Sequence, residues 1–161
     1  MKLTIGPMFA GKTTSMLALA DKLRRNNKSF IIICHPLCAR KNYIISHNNE
    51  SIECAVSLDI DLTKYEYVLI DEVQFFDDIV NKLKPLQDKK IYLYGLDTDY
   101  KRRPFPTICD LLSICSKVKK LNGICARCGR KSAFTERIDK VNDELIDISN
   151  EYLPVCLPCH R

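Results

Sequence analysis

The chain opens Met1-Lys2-Leu3-Thr4-Ile5 and runs without a break into Gly6-Pro7-Met8-Phe9-Ala10-Gly11-Lys12-Thr13-Thr14. The second stretch fits G-x-x-x-x-G-K-[ST], and no other feature restricts the fold as much. Gly6 and Gly11 let the backbone curl until its N–H groups face an anion, and the helix that follows adds its positive N-terminal end. Such a loop needs a strand before it and a helix after it. Residues 1–5 read as the strand. Over residues 13–26, Met16, Leu19, Ala20 and Leu23 recur on one helical face. Lys22, Arg24 and Arg25 fall late in that helix, and Asn26 and Asn27 are stop signals. In this setting Lys12 reaches the β- and γ-phosphates of a nucleotide and the Thr13 hydroxyl ligates Mg²⁺.

Three further apolar runs are Phe30-Ile31-Ile32-Ile33-Cys34, Tyr67-Val68-Leu69-Ile70 and Ile91-Tyr92-Leu93-Tyr94. They are continuous rather than alternating, as strands buried on both faces are. Residues 107–115 read as a helix after Pro106, and residues 35–49 as polar and irregular. Strands alternating with helices predict a parallel α/β sheet. In such sheets ligands gather at the carboxyl ends of the strands. The phosphate loop, Asp71-Glu72 and Gly95-Leu96-Asp97 each follow a strand and should converge there. Asp71 is placed to hold Mg²⁺ or its water. Beside it, Glu72 offers a second carboxylate, suited to general-base work.

From Asn122-Gly123 onward the character changes to short segments and turns, which predicts a nucleotide-binding unit over 1–122 and a second unit over 123–161. The second unit contains Cys125-Ala126-Arg127-Cys128 and Cys156-Leu157-Pro158-Cys159, two C-x-x-C knuckles separated by 27 residues. Four thiolates suit a closed tetrahedral Zn²⁺ site, hence a structural one. His160 is an alternative ligand, although four thiols suffice. Cys156 to His160 also reads C-x-x-C-H, a haem-attachment pattern, but the second knuckle is the better partner. A ribbon of this kind either binds DNA or clamps the long loop between its knuckles. The other five cysteines, Cys34, Cys38, Cys54, Cys109 and Cys115, have no regular spacing. Nine cysteines, an odd count, with no export signal in view point to a reducing compartment, and a cytoplasmic location is expected.

A length of 161 residues suits one domain, or one domain with a small appendage. The net charge of +5 is mild. Lys101-Arg102-Arg103 reads as a solvated loop, and without an aromatic-basic stripe no nucleic-acid partner is expected. No apolar run approaches the roughly 18 residues that cross a bilayer, so no membrane partner is expected either.

Motif by motif, the chain resembles the zinc-containing thymidine kinases, the family of cellular, bacterial and poxviral deoxythymidine kinases. GPMFAGKTT matches that family's phosphate loop. Asp71-Glu72-Val73-Gln74-Phe75-Phe76 resembles its D-E-[GA]-Q-F-[FY] segment, and Gly95-Leu96-Asp97 with Arg103-Pro104-Phe105 resembles its G-L-D…F stretch. Residues 121–128 and 152–159 resemble its zinc portion. The likeness runs in order along nearly the whole chain. It implies a RecA-like P-loop sheet with helices on both faces, plus a small C-terminal zinc ribbon that carries a lasso loop.

The activity implied is transfer of the γ-phosphate of MgATP to the 5′-hydroxyl of thymidine or deoxyuridine, giving dTMP and ADP. By the same resemblance Glu72 is the base and Arg40 sits near the reacting hydroxyl. Residues Gly6 to Thr14, Asp71 and Gln74 hold the nucleotide and its metal. Met8, Phe75, Leu96, Tyr100, Phe105, Thr135 and Tyr152 surround the nucleoside. Residues 137–152 form the lasso, held at both ends by structural zinc on Cys125, Cys128, Cys156 and Cys159. The resemblance further implies feedback inhibition by dTTP and a homotetramer or homodimer.

This chain departs from the family at three places. Cys38 replaces an acidic residue two before Arg40, Val73 replaces a small residue, and Ile146-Asp147-Ile148-Ser149-Asn150 lacks a Gly-Gly pair before the tyrosine. Two other readings compete. One is a nucleotide-binding zinc protein with weak or no kinase activity, for which Cys38 speaks. The other is a nucleic-acid-dependent ATPase, suggested by the helicase-like D-E-x-Q.

Overall fold

The computed structural model describes residues 1–37, 43–45, 51–138 and 151–160. In chain order its elements are β1 (Lys2–Ile5), α1 (Lys12–Arg25), β2 (Phe30–Cys34), β3 (Tyr43–Ile45), β4 (Ser51–Glu53), β5 (Tyr67–Asp71) and α2 (Ile79–Leu83). There follow β6 (Lys90–Gly95), α3 (Pro106–Leu112), β7 (Lys117–Lys120), β8 (Gly123–Ile124), β9 (Lys131–Ser132), β10 (Phe134–Arg137) and β11 (Tyr152–Val155). The main sheet has the order β2-β5-β6-β1-β7, and every pairing in it is parallel. Thus β6 lies between the strand that enters the phosphate loop and the strand that ends in the acid pair.

Continuous apolar runs become strands because both faces of the sheet are covered. On β5, Val68 and Ile70 enter one core with Leu3, Ile5, Ile33, Ile91 and Leu93. Ile79 and Leu83 of α2 and Ile108 and Leu111 of α3 close that face. Leu69 enters the opposite core with Ile32, Cys34 and Tyr94, under Met16, Leu17, Ala20 and Leu23 of α1. Helices therefore cover both faces of a parallel α/β sheet.

Four differences from the sequence reading stand out. Helix α1 starts at Lys12 and ends at Arg25, one residue earlier at each end than expected. Helix α3 stops at Leu112, and the Ile114 and Cys115 N–H groups fold back on the Leu111 carbonyl. Within the stretch read as irregular lies β3, which pairs antiparallel with β4 just beyond it. Strand β7, Lys117-Val118-Lys119-Lys120, was not anticipated at all. All four of its residues are exposed, because it is an edge of the sheet, and lysines on an edge discourage pairing with another chain. After β7 come two antiparallel strand pairs, β8 with β9 and β10 with β11. Among the described residues no helix is long and apolar enough to cross a membrane.

Candidate active site

The loop between β1 and α1 takes its shape from residues with positive φ. Gly6 lies at φ 152 and Gly11 at φ 80. A Cβ on Gly6 would come within 2.5 Å of the Leu121 carbonyl oxygen, whose own N–H donates to Ile5 O at 2.8 Å. Only glycine fits there without moving backbone. Phe9 also has positive φ, at 61, and is exposed. The Lys12 ammonium is buried and donates to the Gly6 and Pro7 carbonyls at 3.1 and 2.8 Å. Burial lowers its pKa, against the opposing pull of Glu72, Asp71 and Asp97. Lys12 is thus folded over the loop it would share with a phosphate. Thr14 is exposed on the first turn of α1, and Ala10 is half-buried.

Asp71 ends β5 and faces this loop. The Thr13 hydroxyl donates to Asp71 Oδ2 at 2.9 Å, and the Glu72 N–H donates to Oδ1 at 3.1 Å. Burial and then the Glu72 charge push its pKa up to about 7, despite those bonds and Lys12. A buried carboxylate beside a hydroxyl is a hard oxygen pair, the donor set that Mg²⁺ prefers, and its charge would be relieved by a cation. The loop and the acid pair converge as expected. Glu72 itself sits at φ 53, and Gln74 joins it through Nε2 to Oε2 at 2.6 Å. The other end of the Gln74 amide accepts from Leu96 N–H at 3.0 Å, which brings Gly95-Leu96 into the site.

The residues expected around a nucleoside fall into three local groups. Phe75 and Phe105 meet edge to face with centroids 6.1 Å apart. Met8 N–H donates to the Thr135 hydroxyl at 3.0 Å, so the phosphate loop leans on β10. Tyr100 lies under the Arg137 guanidinium at 5.5 Å and its carbonyl meets His160 Nε2 at 3.1 Å, while Tyr152 is the register partner of Arg137. Arg40 and Cys38 lie outside the described residues, as do residues 139–150 of the expected lasso.

Cys125, Cys128, Cys156 and Cys159 come together with all four sulfurs within 4.8 Å of one another. Four sulfurs about 2.3 Å from one Zn²⁺ stand about 3.8 Å apart, so the cluster can hold a metal such as zinc. Cys128 and Cys156 are already 3.5 Å apart. Arg130 donates to the Cys128 sulfur at 3.4 Å, and that bond above all draws the thiol down to about 6. His160 Nε2 lies 3.1 Å from the Tyr100 carbonyl oxygen.

Sequence reasoning placed Asp97 at the site but missed its partner, and it missed several other neighbours. Asp97 pairs with Lys120 at 2.5 Å across the ends of β6 and β7. Arg103 pairs with the buried Asp99 at 2.8 Å. His35, at the end of β2, packs on Phe75 and Phe76 at 5.8 and 4.9 Å. Position after a strand had marked Asp97 and was the available signal for His35 as well. Arg137 and Arg130 carried none.

Comparison with known proteins gives one answer. A family model described as thymidine kinase matches residues 1–160. "Thymidine kinase 1" of Dictyostelium discoideum is 30% identical over 175 residues, covering 100% of this chain and 77% of that protein. "Thymidine kinase" of Rabbit fibroma virus (strain Kasza) is 34% identical over 167 residues, covering 98% and 94%. "Thymidine kinase" of Pseudothermotoga lettingae is 33% identical over 174 residues, covering 100% and 94%.

Proposed function

Since the chain belongs to the thymidine kinase family, we propose a route by which its own residues phosphorylate thymidine. ATP is the donor, and its γ-phosphate passes to the 5′-hydroxyl, giving dTMP and ADP. The loop from Gly6 to Thr14 cradles the phosphates with its backbone N–H groups, and Lys12 leaves the Gly6 and Pro7 carbonyls to reach them. Mg²⁺ held by Asp71 and Thr13 supplies charge neutralisation when bound with the nucleotide. Glu72 accepts the hydroxyl proton as that oxygen bonds to phosphorus and the bond to the ADP oxygen breaks. Arg40 assists near the reacting hydroxyl.

Phe75 and Phe105 take one side of the base, with Met8, Leu96, Tyr100, Thr135 and Tyr152 around the nucleoside. Residues 137–152 close over it as a lasso, and zinc on the four cysteines clamps the ends. The pairing of Arg137 on β10 with Tyr152 on β11, the strand that leads into Cys156, supports a segment pinned at both ends. On this reading residues 1–122 bind the nucleotide and residues 123–161 cover the nucleoside. We add to the proposal a homotetramer or homodimer in the cytoplasm, inhibited by dTTP.

The observation that supports the route best is the 2.9 Å bond from Thr13 to Asp71, next to Glu72. It joins the helix that follows the phosphate loop to the carboxylate pair at the end of β5, across the intervening β6. An assay with γ-labelled ATP tests it against thymidine, deoxyuridine, deoxycytidine and single-stranded DNA. Label should enter thymidine and deoxyuridine, and DNA should leave ATP consumption unchanged. DNA-stimulated release of inorganic phosphate would support an ATPase instead.

A further inference from the structure

Gln74 is buried, at 5% exposure, and its amide spans the ends of two strands. Oε1 accepts from the Leu96 N–H at 3.0 Å, and Nε2 donates to Glu72 Oε2 at 2.6 Å. This orientation has no alternative. A backbone N–H can only donate, so the amide oxygen must face Leu96 and the NH₂ must face the carboxylate. Strand β6 ends on Gly95, where a Cβ would come within 2.6 Å of Gln74 Oε1 and 2.8 Å of Val73 Cγ2. The strand end is therefore shaped around the amide. The backbone of Glu72 is fixed from the same side, since Phe75 N–H donates to its carbonyl at 3.1 Å.

We propose that Gln74 is a positioning residue that holds the Glu72 carboxylate in place for proton transfer. The inference rests on Glu72 being the base. With Oε2 anchored by the amide, Oε1 is left to meet the hydroxyl proton. Both ends of the amide are engaged by protein groups, so Gln74 acts through Glu72 and not as the nucleotide contact that the motif resemblance implies. A misplacement of about 1 Å costs about 10²-fold in rate, which sets the scale of the expected effect.

Two variants and a cycle test it. Gln74→Met keeps the length of the side chain and removes both hydrogen bonds. Gln74→Glu keeps the volume and an acceptor for Leu96 but sets a carboxylate against Glu72, and it serves where Gln74→Met melts early. Each should lower kcat by about 10²-fold while KM for thymidine and ATP stays within about two-fold. In a Glu72→Gln background, Gln74→Met should cause no further loss, because the group it positions is gone. Equal losses in both backgrounds, or near-normal kcat in Gln74→Glu, would overturn the positioning role and leave the base reading intact. Near-normal kcat in Glu72→Gln alone would remove the base reading, and this inference with it.

Discussion

Burial of Asp71 at the end of β5 has a cost that the ligand-free protein bears. Its pKa rises from an ordinary 3.8 to about 7, chiefly through burial and then the Glu72 charge. A carboxyl whose folded pKa is raised stabilises the fold below the unfolded value, and that contribution is lost as pH climbs through the folded one. Stability of the ligand-free protein should therefore decline between about pH 4 and pH 7. Asp71→Asn should remove part of that decline and raise the melting temperature at pH 8 by at least about 2 °C, the shift that roughly 1 kcal/mol produces at this chain length. The same variant should lose Mg²⁺-dependent ATP binding. A flat melting profile in the native protein from pH 4 to 8 would contradict the burial argument. Glu72 makes a different prediction. Glu72→Gln should keep ATP affinity nearly intact while turnover falls about 10²–10⁴-fold, measured by steady-state kinetics.

At the scale of elements, the phosphate loop and the cysteine knuckles are local devices, and both could be read directly. G-x-x-x-x-G-K-[ST] encodes its own geometry, and a C-x-x-C pair brings two thiols together whatever surrounds it. Strands β2, β5 and β6 were legible because burial on both faces leaves only apolar residues. Strand β7 was not, since an exposed edge made of Lys117, Lys119 and Lys120 reads as a loop. The role of Gln74 was hidden for another reason. It depends on β6 lying beside β5, and its partner Leu96 is 22 residues away. The Met8–Thr135 bond spans 127 residues and left no local trace. Gly6→Ala tests the loop as an element. Its Cβ would collide with a backbone carbonyl, so ATP binding should weaken by at least about 10-fold in a titration while far-ultraviolet circular dichroism stays native-like.

For the whole molecule, the question is how the cysteine cluster and the sheet work together. Gly123 lies close to the Phe9 carbonyl, where a Cβ would stand 3.4 Å away, and Met8 bonds to Thr135. The phosphate loop thus has β8 and β10 at its back. Metal binding at four thiolates is coupled to folding of the segment that carries them. Cys125→Ser should reduce bound zinc from about one ion per chain, by elemental analysis. Thymidine binding should weaken more than ATP binding, because the loop keeps its own bonds to Asp71. Equal loss of both ligands would count against a zinc-clamped cover for the nucleoside.

A product balance tests most directly whether phosphate passes from ATP to thymidine with Glu72 as the base. ADP and dTMP are quantified together, with and without thymidine, in the native protein and in Glu72→Gln. Equal amounts of the two products are expected, formed only when thymidine is present, with a parallel fall of both in the variant. ADP formed without dTMP, or a variant that makes both at the native rate, would contradict that transfer.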